Sequence, residues 1–249
     1  MKKKEIEIYI IAKDILDPVV KYVDELCHTH DIKIVTTNNN CQVFSKSYII
    51  DENLFLRKDE FISKLKAMGI PRPNWYYQQF LKYYIVSMSK ADGVHIIDGD
   101  SVLNKDMVGI EKYFYNNKRS YQPYQTFSEV FFPVNKSNNC FVTNQMYFDK
   151  KVFSELLDFL GNDWVERLLL NISNEKKFSE YQFYIEYLLL NYSVETYPIK
   201  VFRRFDLIND SIQNGLKKYD LIAWEPEHKT GFLRKIRAKI YYFLSFTIS

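Results

Sequence analysis

The stretch Gly93-Val94-His95-Ile96-Ile97-Asp98-Gly99-Asp100 constrains this chain more than any other. A glycine-bounded apolar run reads as a strand buried on both faces of an α/β sheet. It ends in two carboxylates separated by one glycine. Ligands of open α/β sheets sit beyond the carboxyl ends of the strands. Two acids crowded there repel one another, and a divalent cation relieves that repulsion. Gly99 would let the backbone approach a ligand closely. An Asp-x-Asp triplet alone is a weak signal. This one is the only such triplet in the chain, and it directly follows an apolar run.

The glycines narrow the chemistry further. There are seven, at positions 69, 93, 99, 109, 161, 215 and 231, and no G-x-G-x-x-G or P-loop can be assembled from them. A bound phosphate would have to be held by a metal, by side chains or by a helix end. Dinucleotide oxidoreductases and P-loop NTPases are therefore disfavoured. A diphosphate held through a metal on Asp98 and Asp100 points to nucleotide-sugar chemistry.

The remaining elements predict one α/β domain with a mostly parallel central sheet flanked by helices. Ile6–Ile11, Ile32–Thr36 and a segment near Val43–Ile50 read as strands, with a helix from about Asp17 to His30 between the first two. This βαβ opening implies right-handed crossovers. Asp51-Glu52 reads as a surface turn. After a helix near Asp59–Met68, Pro71-Arg72-Pro73-Asn74 breaks the chain, with Asn74 as the expected N-cap. On the next helix Trp75, Gln78, Gln79 and Lys82 share one face, which suits either a ligand or solvent. Ile110–Tyr115 followed by Asn116-Asn117 reads as a hairpin, and Asn139–Phe148 as a strand. Helices are expected near Lys150–Leu160, Asp163–Ile172 and Ser179–Tyr192, the last capped by Ser179. Val194–Phe202 reads as a strand before Arg203-Arg204, and Leu221–Trp224 as a sheet edge. Cys27, His28 and His30 fall at a helix end, where capping is favoured over metal binding.

At 249 residues with 47% hydrophobic and 17% aromatic content, one large core is available. A net charge of +3 is too small to indicate a nucleic-acid partner. Cys27, Cys41 and Cys140 are odd in number, without C-x-x-C spacing, and suit free thiols in a reducing cytoplasm. No signal peptide is expected after Lys2-Lys3-Lys4, and no run approaches the roughly 20 apolar residues of a membrane span. Residues 226–249 differ in kind. Phe232, Ile236, Ile240 and Leu244 recur on one side, with Arg234, Lys235, Arg237 and Lys239 on the other. Such a basic amphipathic tail predicts docking on an anionic membrane surface, against the alternative of a terminal helix packed on domain 1–225. The chain is thus expected in the cytoplasm, peripheral to the inner face of the plasma membrane.

Three motifs occur in order: Arg72-x-x-Trp75-x-x-Gln78-Gln79-x-x-Lys82, then Ile96-Ile97-Asp98-Gly99-Asp100, then Phe178-Ser179-Glu180-Tyr181-x-x-Tyr184. Together, over roughly residues 6 to 205, they resemble a bacterial family of GT-A-type glycosyltransferases from capsule and O-antigen gene clusters. The resemblance implies a GT-A-like fold and transfer of a sugar from a nucleotide-diphosphate donor, UDP-linked by preference, to a glycan or lipid-linked acceptor. It implies Mn²⁺ or Mg²⁺ held by Asp98 and Asp100, with His228 as a late third ligand similar to one in lipopolysaccharide galactosyltransferases. Glu180 would be the general base at the acceptor and Asp100 a direct participant at the ion. Ala12, Lys13, Arg72, Gln79, Lys82, Asp98, Gln145 and Ser179 would contact the donor. The sequence departs from the family in carrying Gly99 where a small side chain is more usual.

Two other readings compete. Ile97-Asp98-Gly99-Asp100-Ser101-Val102-Leu103 also looks like the first motif of haloacid-dehalogenase-type phosphatases, with Asp98 as nucleophile. Against it, βα sequence precedes the motif and no later Gly-Asp-x-x-x-Asp follows. A non-catalytic carbohydrate-binding, membrane-associated protein would use some of the 20 tyrosines and 19 phenylalanines to stack on sugars.

Overall fold

The computed structural model describes residues 4–12, 17–37, 49–116, 121–133, 139–204 and 215–224. The chain opens with strand β1 (Ile6–Ile11), helix α1 (Asp17–Cys27) and strand β2 (Ile32–Thr36), as the alternation predicts. The described part of the third strand, β3, is Ile49–Asp51. Helices α2 (Lys58–Ala67) and α3 (Pro73–Met88) then lead into β4 (Gly93–Asp98). Short strands β5 (Ser101–Leu103) and β6 (Tyr113–Tyr115) precede helix α4 (Gln122–Ser128). Strand β7 (Gln145–Asp149) is followed by α5 (Lys150–Leu160), α6 (Trp164–Leu170) and α7 (Glu180–Asn191). Strands β8 (Thr196–Pro198), β9 (Val201–Arg204) and β10 (Leu221–Trp224) end the described chain.

The central sheet has the order β3-β2-β1-β4-β7. All neighbours in it are parallel except β7, which runs antiparallel to β4. The chain moves outward from β1 through β2 to β3, then returns to place β4 on the other side of β1. The strand order thus reverses between β1 and β4, the place in open α/β sheets where ligands sit beyond the carboxyl ends of the strands. Asp98 pairs with Ile11 at that point.

Alternation along the strands builds a core on each face of the sheet. Tyr9, Ile11, Val94, Ile96, Met146 and Phe148 pack with α3, α5 and α7. Ile8, Ile10, Ile32, Ile34 and Ile97 pack instead with α1 and with a second sheet of order β5-β10-β9. The first face is built around aromatic rings, with Tyr83, Phe148, Phe153 and Tyr184 in mutual edge and tilted contacts at 4.7–6.3 Å.

Several local expectations are corrected by tertiary pairing. Leu221–Trp224 is no edge: β10 lies between β5 and β9. The hairpin expected at Asn116-Asn117 is absent from the described part, because β6 pairs parallel with β8 and Asn116 bridges to Cys140. The strand expected from Asn139 begins only at Gln145, after Asn144 adopts φ 58. Val194–Phe202 divides into β8 and β9, which join different sheets. Glu52 is no surface residue; it is buried against Lys58 at 2.9 Å. The N-cap of α3 is Arg72 rather than Asn74, with Pro73 taking the first helical position where its missing N–H costs nothing. The reading of the Cys27, His28 and His30 segment as a helix end agrees with the backbone, where His30 N–H reaches Leu26 O at 2.8 Å. Cys27 and Cys140 are free thiols, and Cys41 lies outside the described residues. No helix among the described residues is long and apolar enough to cross a membrane, and the amphipathic tail lies outside them.

Candidate active site at the end of strand β4

The acidic triplet is locked to β1 by its glycine. Gly99 N–H donates to Ile11 O at 2.8 Å, and Ala12 N–H donates to Val35 O at 3.1 Å. A Cβ at position 99 would lie 2.2 Å from Ala12 Cβ and 2.9 Å from Ile11 O. The glycine is thus required by the neighbouring strand end, whereas a ligand's approach was the expected reason. Asp98 N–H donates to Asn144 O at 2.9 Å, which fixes the other flank. The left-handed conformation of Asn144, one its residue type tolerates, aims that carbonyl.

Asp98 faces the helical layer. Its Oδ1 lies 2.6 Å from Lys82 Nζ and accepts from the Tyr181 hydroxyl at 3.0 Å. The same ammonium lies 2.6 Å from Glu180 Oε1 and 4.3 Å from the Tyr181 ring centroid. Side-chain exposure falls from 25% at Asp98 to 5% at Lys82 and 2% at Glu180. One buried cation therefore bridges a fully buried carboxylate and one that reaches solvent. Burial opposes the charge on Lys82, but Asp98 and Glu180 outweigh it and hold the amine well above the ordinary lysine range. Burial raises the Glu180 carboxyl, partly offset by Lys82 and reinforced by Asp98.

The helices supply this cluster with backbone support. Gln79 Oε1 accepts from Glu180 N–H at 3.3 Å, and Tyr83 OH donates to Glu180 O at 3.0 Å. Positions 79, 82 and 83 of α3 thus clasp the first turn of α7. Ser179 stands at the N-cap of α7 without a side-chain capping bond, so the Gln79 amide satisfies a donor there.

Asp100 continues in the other direction. Its Oδ1 accepts from Ser101 Oγ at 3.0 Å, and its carbonyl accepts from Trp224 N–H at 2.8 Å. The two acids of the triplet thus stand at the junction of the central sheet and the second sheet. Among the described residues there is no group of three or more His, Cys, Asp or Glu side chains placed to hold a metal. Two hard oxygen donors nevertheless suit a Mg²⁺- or Mn²⁺-type ion, which takes one or two carboxylates and completes its shell from water and phosphate oxygens.

The other expected site residues divide by position. Gln79, Lys82, Asp98, Ser179 and Glu180 come together, and Ala12 touches Gly99. Gln145 does not join them. It opposes Ile97 on the other face of the sheet, fully buried, and its Oε1 meets His95 Nε2 at 2.8 Å. Because Gly109 N–H donates to His95 Nδ1 at 2.8 Å, the histidine proton sits on Nε2 and is donated to Gln145. Arg72 stands at the far end of α3, ten residues or about 15 Å from Lys82 along the axis. Lys13 and His228 lie outside the described residues. Tyr181 was missed as a contact of Asp98. It lies within the third motif, but a tyrosine beside a buried glutamate reads from sequence as core. Two cavities, of about 440 and 330 Å³, lie away from the acidic pair. The first is walled by Glu111, Tyr113, Asp149, Tyr192 and Tyr197, the second by Phe55, Arg57, Phe61 and Tyr84.

Neither a family profile nor a curated protein matches the sequence. Among solved structures, the chain is similar to the galactosyltransferase LgtC in complex with donor and acceptor sugar analogues, at 12% identity over 97% of each chain and a TM-score of 0.44. An active-site mutant of LgtC aligns at 10% identity over 94% of this chain and 95% of its own, with a TM-score of 0.43. The glycosyltransferase GlyE of Streptococcus pneumoniae TIGR4 aligns at 13% identity and a TM-score of 0.40, over 98% of this chain but 61% of its own length.

Proposed function

We propose that the chain is a glycosyltransferase that moves a sugar from a nucleotide-diphosphate donor, UDP-linked by preference, to a glycan or lipid-linked acceptor. The observation that carries this reading is the cluster at the adjoining carboxyl ends of β1 and β4, where Asp98 is fixed by buried Lys82 next to Asp100. With no glycine-rich loop to cradle phosphate, an acidic pair at a strand-order reversal suits a metal-held diphosphate.

In this reading Asp98 and Asp100 hold Mn²⁺ or Mg²⁺, which neutralises the departing nucleotide diphosphate when bound. Lys82 and the Tyr181 hydroxyl hold the Asp98 carboxylate in place through Oδ1. Glu180 acts through Lys82 as a positioning residue: its carboxylate is turned into the protein and paired, whereas a general base must reach the acceptor hydroxyl. Ala12 borders the acidic triplet on the side of β1, packed against Gly99. The basic amphipathic pattern of residues 232–249 supports docking on an anionic membrane in surface-polysaccharide synthesis, with His228 close before it in sequence.

The test is a thermal-shift screen of UDP-, GDP- and CMP-sugars with and without Mn²⁺, followed by donor hydrolysis. Stabilisation by one diphosphate sugar only with metal, lost in Asp100→Asn, supports the reading. Turnover of para-nitrophenyl phosphate, or metal-dependent donor hydrolysis undiminished in Asp100→Asn, overturns it.

A further inference from the structure

A strip of alternating cations and aromatic rings runs across the N-terminal end of α3 and onto α4. The Arg72 guanidinium lies 5.2 Å from the Trp75 ring centroid. Trp75 and Tyr124 are nearly parallel, at 14° with centroids 6.5 Å apart. Tyr124 meets Tyr121 edge-on at 5.1 Å. Lys177 closes the strip, its ammonium 5.2 Å from the Tyr121 ring and donating to the Tyr121 hydroxyl at 3.2 Å. Arg72 is exposed, Tyr121 is 46% exposed, and Trp75 and Tyr124 are half-buried.

Cations of this protein meet either carboxylates or rings, and Lys112 on Tyr197 and Arg167 on Phe131 are of the second kind. Arg57, Lys64 and Lys105 each meet a glutamate. Arg72 and Lys177 have no carboxylate partner among the described residues and rest on rings instead. Solvent-facing rings offer flat apolar area at low entropic cost. The face of a pyranose ring is likewise flat and lined with C–H groups, so it packs on such a ring while its hydroxyls remain hydrated. The guanidinium and ammonium at either end add sites for a carboxylate or phosphate, which Arg binds bidentately.

The position gives the strip a purpose. Trp75 lies seven residues before Lys82 on the same face of α3, about 10 Å along its axis. Lys177 lies three residues before Glu180, and its N–H donates to Pro123 O at 3.0 Å, tying the α7 entry to α4. We propose that Arg72, Trp75, Tyr124, Tyr121 and Lys177 form a binding surface for a saccharide bearing an anionic group, the acceptor of the reaction proposed above. The term acceptor rests on that reading; the binding itself does not.

The experiment uses the full chain without any donor. Saturation-transfer NMR and tryptophan fluorescence titrations would compare a glucuronic-acid disaccharide, glucose 1-phosphate, a neutral hexose disaccharide and inorganic phosphate alone. At least one anionic sugar is expected to bind about tenfold more tightly than the neutral disaccharide and inorganic phosphate, and to weaken with salt. Preference for the uronate or for the sugar phosphate names the source of the charge. Tyr121→Ala and Lys177→Ala, both at accessible positions, should each weaken binding about fivefold or more. Equal binding of charged and neutral sugars, no binding of any sugar, or full binding in the Tyr121→Ala/Lys177→Ala double variant overturns the proposal. Anionic-sugar binding with no response to any nucleotide sugar would keep this surface and remove the transferase reading.

Discussion

The ammonium of Lys82 lies 2.6 Å from Glu180 Oε1, with both side chains almost wholly withdrawn from water and 98 residues apart in the chain. A buried pair of this kind is costly to break from one side, because the remaining charge has no solvent to turn to. Asp98 extends the pair toward the surface, so the stability of the helical layer and the state of the acidic site share one cation.

Removing that cation is therefore expected to destabilise strongly. Lys82→Met should cost about 3–5 kcal/mol in urea unfolding, and adding Glu180→Leu should recover most of the loss. The sign with pH follows from the raised folded value of Lys82. Its contribution is complete below the ordinary 10.5 and is lost only as pH rises through the folded value. Wild type should lose stability in strong alkali more steeply than the double variant.

Asp98 is expected to behave differently from Glu180. Being partly exposed, it can be replaced at smaller cost, about 1 kcal/mol for Asp98→Asn, since Lys82 keeps Glu180 as partner. The same change should abolish any metal-dependent thermal shift with a nucleotide sugar. Glu180→Gln should instead lower the melting temperature while leaving some ligand response. Equal loss of stability in both variants would contradict this division.

Gly99→Ala should be disruptive despite adding one methyl group. The new Cβ would strike Ala12 and the Ile11 carbonyl, which are backbone-anchored. A cost of about 1–3 kcal/mol is expected, seen as a fall of several degrees in thermal unfolding. Ala12→Gly in the same chain should restore only part of it, because Ala12 Cα and Ile11 O would still lie at 2.9 Å.

Two buried groups should shape the stability profile across the physiological range. Burial pushes His95 down to about 4, the Gln145 bond only partly opposing it. A depressed histidine stabilises above its unfolded value of 6.5, and this is lost as pH falls toward 4. Burial raises the Glu186 carboxyl to about 7, against the hydrogen bonds from Ser128 and Gln182. That contribution is complete below the ordinary 4.5 and is lost as pH rises toward 7. Each limb amounts to about 3 kcal/mol. Urea midpoints measured from pH 4 to 8 should show both limbs, with Glu186→Gln flattening the rise-of-pH limb and His95→Gln the acid one.

Much of the scaffold was legible along the chain. The strands at Ile6–Ile11 and Ile32–Thr36, the run into Asp98, and helix Lys150–Leu160 follow from alternation and helical periodicity, both set by near neighbours. Where the expectations failed, partners distant in sequence had decided the outcome. Tyr113–Tyr115 carries the same β signal whether it turns into a hairpin or pairs with Thr196–Pro198, and only the packed chain selects the second.

The candidate site divides in the same way. The sequence by itself determined that two acids would follow a buried strand and that no glycine-rich loop could serve phosphate here. It also marked Lys82 and Glu180 as members of linked motifs. Only the tertiary structure decided that Lys82 would join Asp98 to Glu180, that Gln145 would turn to the opposite face, and that Gly99 would answer to Ala12. Strand and helix signals are written in neighbours one to four residues apart. The partner of a buried charge is chosen by which elements are stacked across the sheet, and that information exists only once they are packed.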